Sequence, residues 1–363
     1  MKFGLISLGA ISSKKILEEA KKLFTKVEHF DIKEMEVRTS SKEIAVLHKG
    51  RPLESFDCLY LRGSFRYALL QQSITRALYS EMYMPLKPSA FPLGHNKFLT
   101  LLELQKKKVP IPHTYFAATT KVAKALLEQV QYPIILKIPS GTQGKGVMFA
   151  DSPSSATSML DALEVFKQPY ILQEYVDTNS TDIRAIVAGR KVIACMKRIA
   201  LQDDLRANVH IGGKGVPYQL DYDTEQIAVR SAEAIGAEVC AVDILDAGGK
   251  PQVIEVNLSP GLSGVTEATK KNVAKDIAFF LYEQTKAFKE EVGRGDVNAL
   301  LRELETESKR IEKKDILTNL DIKAGLIKLP KIVTDISQFK QDEDVSIEVK
   351  KGEIRIKKHE IKS

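Results

Sequence analysis

The sequence predicts an α/β protein with α+β character, and three observations carry that expectation. Short apolar runs of strand length alternate with amphipathic helical stretches from Lys2 to about Lys289. The chain of 363 residues is long enough for two to three domains. Its 44% hydrophobic and 28% charged content is that of a globular chain rather than a disordered one.

Composition also excludes several classes. No stretch approaches the roughly 18 consecutive apolar residues of a membrane helix. The opening MKFGLISLGAISSKK has Lys14 and Lys15 where a signal peptide would carry small cleavage-site residues, so it reads as a buried strand entering a helix. A cytoplasmic protein is expected. Cys58, Cys195 and Cys240 lie far apart and support neither a disulfide framework nor a zinc site. The histidines form no H-E-x-x-H pair and read as surface or packing residues. A net charge of +7 suits an anionic substrate or partner, although a Lys-rich tail produces the same excess.

The first expected domain, 1–95, has a strand at Lys2–Leu8 and a helix capped by Ser12 or Ser13, with Ile16, Leu17, Ala20, Leu23 and Phe24 at helical spacing. A second apolar segment, Asp57–Leu61, ends at Arg62-Gly63. The domain lacks G-x-G-x-x-G, which disfavours a dinucleotide site. The second domain, 96–292, opens with a helix carrying Phe98, Leu99, Leu101, Leu102 and Leu104. Helices are expected at Lys121–Val130, Ser154–Phe166, Asp223–Ile235 and Lys271–Lys289, and strands at Pro133–Pro139, Val147–Ala150, Tyr170–Tyr175, Ile183–Ala188 and Val192–Lys197. Val239–Leu245 and Gln252–Val256 read as a hairpin about Gly248-Gly249. After Gly293-Arg294-Gly295 a narrow apolar stripe (Val297, Leu300, Leu301, Leu304, Ile311) marks 293–315 as a helical linker.

Three segments carry chemistry. In ILKIPSGTQGKGV, Lys137 ends an apolar strand beside Gly141, Gly144 and Gly146. Glycines let backbone N–H groups close over phosphate oxygens, and the lysine adds a point charge. The spacing fails the Walker pattern, and a plain hairpin is the alternative. In VDIL…VIEVNLSPG, Asp243, Glu255 and Asn257 supply two carboxylates and an amide oxygen. Glu255 and Asn257 share a face by period-two alternation. Hard oxygens on a rigid sheet suit Mg²⁺, whereas unpaired acids among Val, Ile and Leu are costly to bury. In QEYVDTNSTDIRAIV, Glu174 and Tyr175 stand at a strand end where a carboxylate and a backbone amide can meet an adenine edge. Asp182 and Arg184 share a face. Arg198 and Arg206 add planar forks, followed by Asn208, Gly212 and Gly213. Each feature alone also reads as a solvated strand edge.

Taken in order, HNK, LKIPSGTQGKGV, QEY, DIR, KRIA, LRAN, GG, VDIL and EVNLSPG resemble the ATP-grasp ligases of the RimK type over about residues 1–290. The resemblance implies an ATP-grasp fold of three α/β units, the first of them a pre-ATP-grasp domain, with ATP between two sheets. It implies an enzyme that forms an amide through an acyl phosphate, adding glutamate or another amino acid to an acceptor carboxylate. ATP would be bound by Lys97, Lys137, Gly141, Gly144, Lys145, Gly146, Glu174, Tyr175 and Asp182. Asp243, Glu255 and Asn257 would hold two Mg²⁺ or Mn²⁺, and Arg198, Arg206 and Asn208 would line the reaction centre. Arg62, Arg184, Gly212 and Gly213 would stand on the substrate side. The chain departs from the pattern at Asn96 and Ser140, which replace acids, and at Ile211, which replaces an arginine near the acceptor region. The competing expectations are a regulatory ATP-binding module and a nucleic-acid-binding protein acting through the basic tail.

The last piece, 316–363, is expected to be β-rich, with strand Ala324–Leu329, helix Lys331–Gln338, and strands Val345–Lys350 and Glu353–Lys358 turning at Lys351-Gly352. That order loosely resembles the swapped-hairpin barrels of the AbrB type, which are intertwined dimers, some of them DNA-binding. A homo-oligomer is therefore expected. DNA binding is disfavoured because Asp342, Glu343 and Asp344 offset the basic charge.

Overall fold

The computed structural model describes residues 1–139, 146–200, 214–308, 321–323, 326–328, 345–351 and 353–358. The chain divides into two compact units, 1–294 and 295–363, so the boundary expected at 95/96 lies inside the first.

The first unit contains three modules. Lys2–Ser7 is the middle strand of a parallel sheet, flanked by Lys26–Asp31 and Cys58–Leu61. Every residue from Phe3 to Ser7 is buried, as a strand covered on both faces requires. The helix that follows, Ile11–Ala20, is preceded by Ala10 with no side-chain cap, so neither serine caps it as expected. Ser12 and Ser13 lie within its first turn and are buried. Ser12 Oγ accepts from Leu262 N (2.9 Å) and Ser13 Oγ accepts from Arg62 Nε (3.2 Å). A small antiparallel sheet of Met35–Thr39, Ile44–His48 and Arg51–Pro52 is an addition to the sequence reading. Much of it is exposed and its alternation is correspondingly weak.

The middle module is a four-stranded antiparallel sheet in the order Thr114–Tyr115, Ile171–Glu174, Ile134–Lys137, Val147–Ala150. Helices Thr120–Leu127 and Pro153–Val165 cover it. Thr119 and Ser152 cap them, and Pro153 occupies the first helical turn, where its missing N–H costs nothing. Ala123, Leu127, Leu136, Leu160 and Leu172 form a core that belongs to this module alone.

The third module is a five-stranded antiparallel sheet in the order Lys214–Pro217, Lys191–Ile199, Thr181–Ala188, Val239–Asp246, Pro251–Asn257. Helix Tyr222–Ile235 packs against it, capped by Asp221 and ended by Gly236 in the left-handed conformation that suits glycine. Its core is continuous with that of the N-terminal parallel sheet and takes in Leu101 and Leu104 of helix Lys97–Lys106. The terminal helix, expected to stop near Lys289, runs as one element from Val273 to Ser308. No helix among the described residues is long and apolar enough to cross a membrane.

Among its described residues, the second unit contains two hairpins. Where one strand was expected at Ala324–Leu329, Asp321–Lys323 pairs with Leu326–Lys328. The expected helix Lys331–Gln338 lies outside the described residues. Val345–Lys350 pairs with Glu353–Lys358 in the expected register, which sets Ile347 against Ile356 and Val349 against Ile354 on one face. The opposite face carries the Glu348–Lys357 pair (2.9 Å).

Candidate active site

Period-two alternation and the register of the five-stranded sheet put six polar side chains on one face. Asp182 lies directly across from Arg198, Arg184 across from Asp243, and Asp243 across from Glu255. Asn257 follows Glu255 by two residues and shares its face. Arg198 clasps Asp182 through Nε to Oδ1 (2.5 Å) and Nη2 to Oδ2 (2.6 Å). Its Nη2 also reaches Asp243 Oδ2 at 3.1 Å. Arg184 grips Asp243 with a second fork, Nε to Oδ1 at 2.8 Å and Nη2 to Oδ2 at 2.6 Å. Asn257 Nδ2 donates to Asp243 Oδ2 (3.3 Å). Burial raises the Asp243 carboxyl, but the two guanidiniums outweigh it and hold the group below the usual carboxylate range. For Asp182 burial prevails over its single fork and pushes the carboxyl up to about 6.

Lys97 enters from the helix it begins. Asn96 is the N-cap, and its Oδ1 accepts from Phe98 N and Leu99 N, both at 3.1 Å. Asn caps as well as Asp, so this departure from the family pattern costs the helix nothing. Lys97 Nζ contacts Glu255 Oε1 at 3.2 Å, and Lys97 N donates to Pro139 O (3.2 Å). A lysine at a helix N-terminus is poorly matched to the macrodipole and well placed for an anion.

Lys137 arrives from the middle module, where Nζ donates to Gln173 Oε1 (2.5 Å) and Gln173 Nε2 donates to Thr114 Oγ1 (2.8 Å). Burial pushes its ammonium down to about 8; attraction to Glu255 opposes this and repulsion from Lys97 adds to it. The structure thus brings Lys97, Lys137 and Glu255 into one electrostatic neighbourhood. Gln173 is a partner the sequence reading missed, although a glutamine inside the apolar run YILQE was the signal available. Gly146 closes the base of the glycine loop with φ of +76°, and a Cβ there would meet Ile138 Cδ1 at 2.9 Å. Gly141, Gly144 and Lys145 of that loop, together with Ser140, lie outside the described residues, as do Arg206, Asn208, Ile211, Gly212 and Gly213.

Three placements differ from expectation. Tyr175 N donates to Pro133 O (3.1 Å), so the amide expected to be free for an adenine edge is engaged, while Glu174 Oε1 accepts from Tyr115 Oη (3.1 Å). Arg62, expected on the substrate side, is 4% exposed. Its fork is used inside the protein, on Ser13 Oγ, Tyr60 Oη (3.1 Å) and Pro260 O (2.6 Å). With Gly63 N donating to Ser259 Oγ (2.9 Å), it ties the parallel sheet to the loop that follows Asn257. Arg184 likewise faces Asp243 rather than an open substrate side.

A sequence model described as the RimK-like ATP-grasp domain matches residues 94–281. The chain belongs to the RimK-like ATP-grasp family. A probable alpha-L-glutamate ligase of Syntrophotalea carbinolica is 35% identical over 250 residues, covering 68% of this chain and 83% of that one. A probable alpha-L-glutamate ligase of Hydrogenovibrio crunogenus is 32% identical over 291 residues, covering 79% and 97%. Among solved structures, the ATP-grasp ligase PsnB, complexed with a phosphomimetic variant of its minimal precursor, Mg and ADP, superposes with a TM-score of 0.61 at 16% identity, covering 78% of this chain and 98% of that one. The RimK-like chain has the ATP-grasp fold and is an enzyme of the carboxylate–amine ligase class.

Metal chemistry fits the residues present. Two carboxylates and an amide on adjacent strands are the hard-oxygen donors that Mg²⁺ takes. Asn257 presents its nitrogen to Asp243 here, an assignment set by the hydrogen-bond network, and the opposite amide orientation would offer oxygen.

Proposed function

We propose that this RimK-like ligase uses ATP and two Mg²⁺ or Mn²⁺ to join the amino group of an amino acid, glutamate first among candidates, to an acceptor carboxylate on a peptide, protein or cofactor. The observation that carries the reading is the convergence of Lys97 and Lys137 on Glu255, beside the oxygen donors Asp243 and Asn257. Cations for a polyphosphate and ligands for its counterion then meet at one place. The donor follows the names of the two glutamate ligases, and a peptide acceptor follows the precursor-bound PsnB.

An acceptor carboxylate oxygen attacks the γ-phosphorus of ATP, the bond to the β-phosphate oxygen breaks, and an acyl phosphate and ADP result. Lys97 and Lys137 hold the phosphate oxygens and neutralise charge on the transferred group, which is most of what phosphoryl transfer asks of a protein. Asp243, Glu255 and Asn257 would hold the metal ions, which would supply further charge neutralisation for phosphoryl transfer. The amine then attacks the acyl carbon, loses a proton and expels phosphate. We assign the oxyanion of that step to Arg206, a further catalytic role to Asn208 and a substrate-binding role to Gly212 and Gly213. Arg198 acts as a positioning residue that fixes Asp182 and Asp243. Glu174, Asp182 and the glycine loop complete the nucleotide side.

The test is phosphate release from ATP and Mg²⁺ across the twenty amino acids and a panel of acidic acceptors. Release that requires glutamate and a carboxylate acceptor together is expected. Turnover with another amino acid alone would reassign the donor, and release independent of any amine would overturn the ligase reading.

A further inference from the structure

The acids on the polar face of the five-stranded sheet are already met by the protein's own cations. Among the described residues, Asp182, Asp243 and Glu255 face Arg198, Arg184 and Lys97, and Lys137 of the middle module is a fourth cation, attracted by Glu255. Asp243 is the most heavily used member, because both its oxygens accept from Arg184 and Oδ2 also meets Arg198 and Asn257. The two arginines are not equivalent. The Arg198 side chain is 5% exposed and bridges two carboxylates, whereas that of Arg184 is 12% exposed and, among the described residues, pairs with Asp243 alone.

A divalent cation arriving by itself would add two charges to a largely buried cluster whose acids are already compensated, and would have to evict a two-point fork, both of which are costly. A cation arriving with a polyanion faces neither cost. The metal replaces the guanidinium at Asp243, and the released fork finds phosphate or carboxylate oxygens that match its geometry. We propose that Arg184 is a placeholder for the divalent cation: it holds Asp243 in the nucleotide-free enzyme, competes with metal there, and makes metal and nucleotide load as a pair. The proposal rests on the reading of Asp243 as a metal ligand. Arg184 is accordingly a positioning residue, and its effect is read in metal binding rather than in turnover.

The experiment measures Mn²⁺ binding to the full chain by electron paramagnetic resonance of the free ion, without nucleotide. Arg184→Gln is expected to bind Mn²⁺ at least ten-fold more tightly than the unaltered chain, and Arg184→Gln combined with Asp243→Asn is expected to lose that gain. Circular dichroism reports whether each variant folds. If Arg184→Gln does not, Arg184→Lys decides the question, because one ammonium cannot reproduce the fork and at least a three-fold gain is expected. A separate arm with a non-hydrolysable ATP analogue distinguishes the two claims. There Asp243→Asn alone must weaken Mn²⁺ binding at least ten-fold, and if it does not, the metal reading fails. A normal loss in that arm, together with no gain in either Arg184 variant, overturns the placeholder alone. A gain that survives Asp243→Asn overturns it too, since the tighter site would then lie elsewhere.

Discussion

Lys137 offers the sharpest prediction because its environment converts pH into nucleotide affinity. Burial and the neighbouring Lys97 outweigh the attraction of Glu255 and bring the ammonium down to about 8 in the nucleotide-free protein. A phosphate beside it restores the charged form, so binding takes up a proton whenever the free lysine is neutral. The sign follows directly. Affinity is full below pH 8 and is lost as pH rises through that value. By the one-site relation, roughly nine-tenths of Lys137 is charged at pH 7 and roughly one-tenth at pH 9, so the dissociation constant of a non-hydrolysable ATP analogue should weaken about ten-fold, or ~1.4 kcal/mol. Calorimetric titration at pH 7, 8 and 9, in buffers of different ionisation enthalpy, measures both the affinity and an uptake of about half a proton at pH 8. Lys137→Arg stays charged throughout and should flatten the profile. A flat profile in the unaltered chain, or an equal slope in Lys137→Arg, would refute the argument.

Other outcomes follow from the same geometry. Glu255→Ala removes an expected metal ligand and the partner of Lys97, and should lower phosphate release by about a hundred-fold or more while circular dichroism stays unchanged. Arg198→Met leaves Asp182 buried without its fork and takes one contact from Asp243, which should cost ~3–5 kcal/mol in urea unfolding. The hairpin Val345–Lys350/Glu353–Lys358 leaves Ile347 57%, Val349 71% and Ile354 51% exposed. An isolated two-stranded hairpin is marginal in water, so the full chain should scatter light as a dimer and a chain ending at Glu291 as a monomer. Equal association states would remove this segment as the dimerisation element.

What the sequence made legible, and what it did not, divides by the range of the interactions involved. Asp182 with Arg184, and Glu255 with Asn257, share a face because strand alternation has a period of two, and that is readable from spacing. Their mutual pairing needs the sheet register, which no local signal contains. Arg62 shows the limit clearly. Its acceptor at Pro260 O lies 198 residues away, so a guanidinium that reads locally as a substrate contact turns out to be a buried clamp. Ser12 and Ser13 have the composition of a cap, yet the loop around Leu262 and the side chain of Arg62 claim their hydroxyls. The helix expected to stop near Lys289 and the helical linker expected from 293 form one element that runs through the glycines at 293 and 295 to Ser308. A glycine in a helix interior costs only about 1 kcal/mol against alanine, too little to end a long helix by itself.

The division of the core also bears on how the two lysines work. Lys97 sits on a helix whose Leu101 and Leu104 pack into the large core shared by the parallel and five-stranded sheets. Lys137 ends a strand whose Ile134 and Leu136 belong to the separate core of the middle module. The like charges are therefore carried by two independently packed bodies, and a side-chain partner of each, Glu255 for Lys97 and Gln173 for Lys137, lies within its own body. Burial is the main cause of the depressed Lys137 ammonium, and repulsion from Lys97 across the seam adds to it. A polyanion settling between them removes that repulsion and adds an attraction to each, so it gains twice from one placement. A single-core protein could hold the same two lysines close only by meeting the cost of their repulsion permanently. Mounting them on separate cores confines that cost to the nucleotide-free protein.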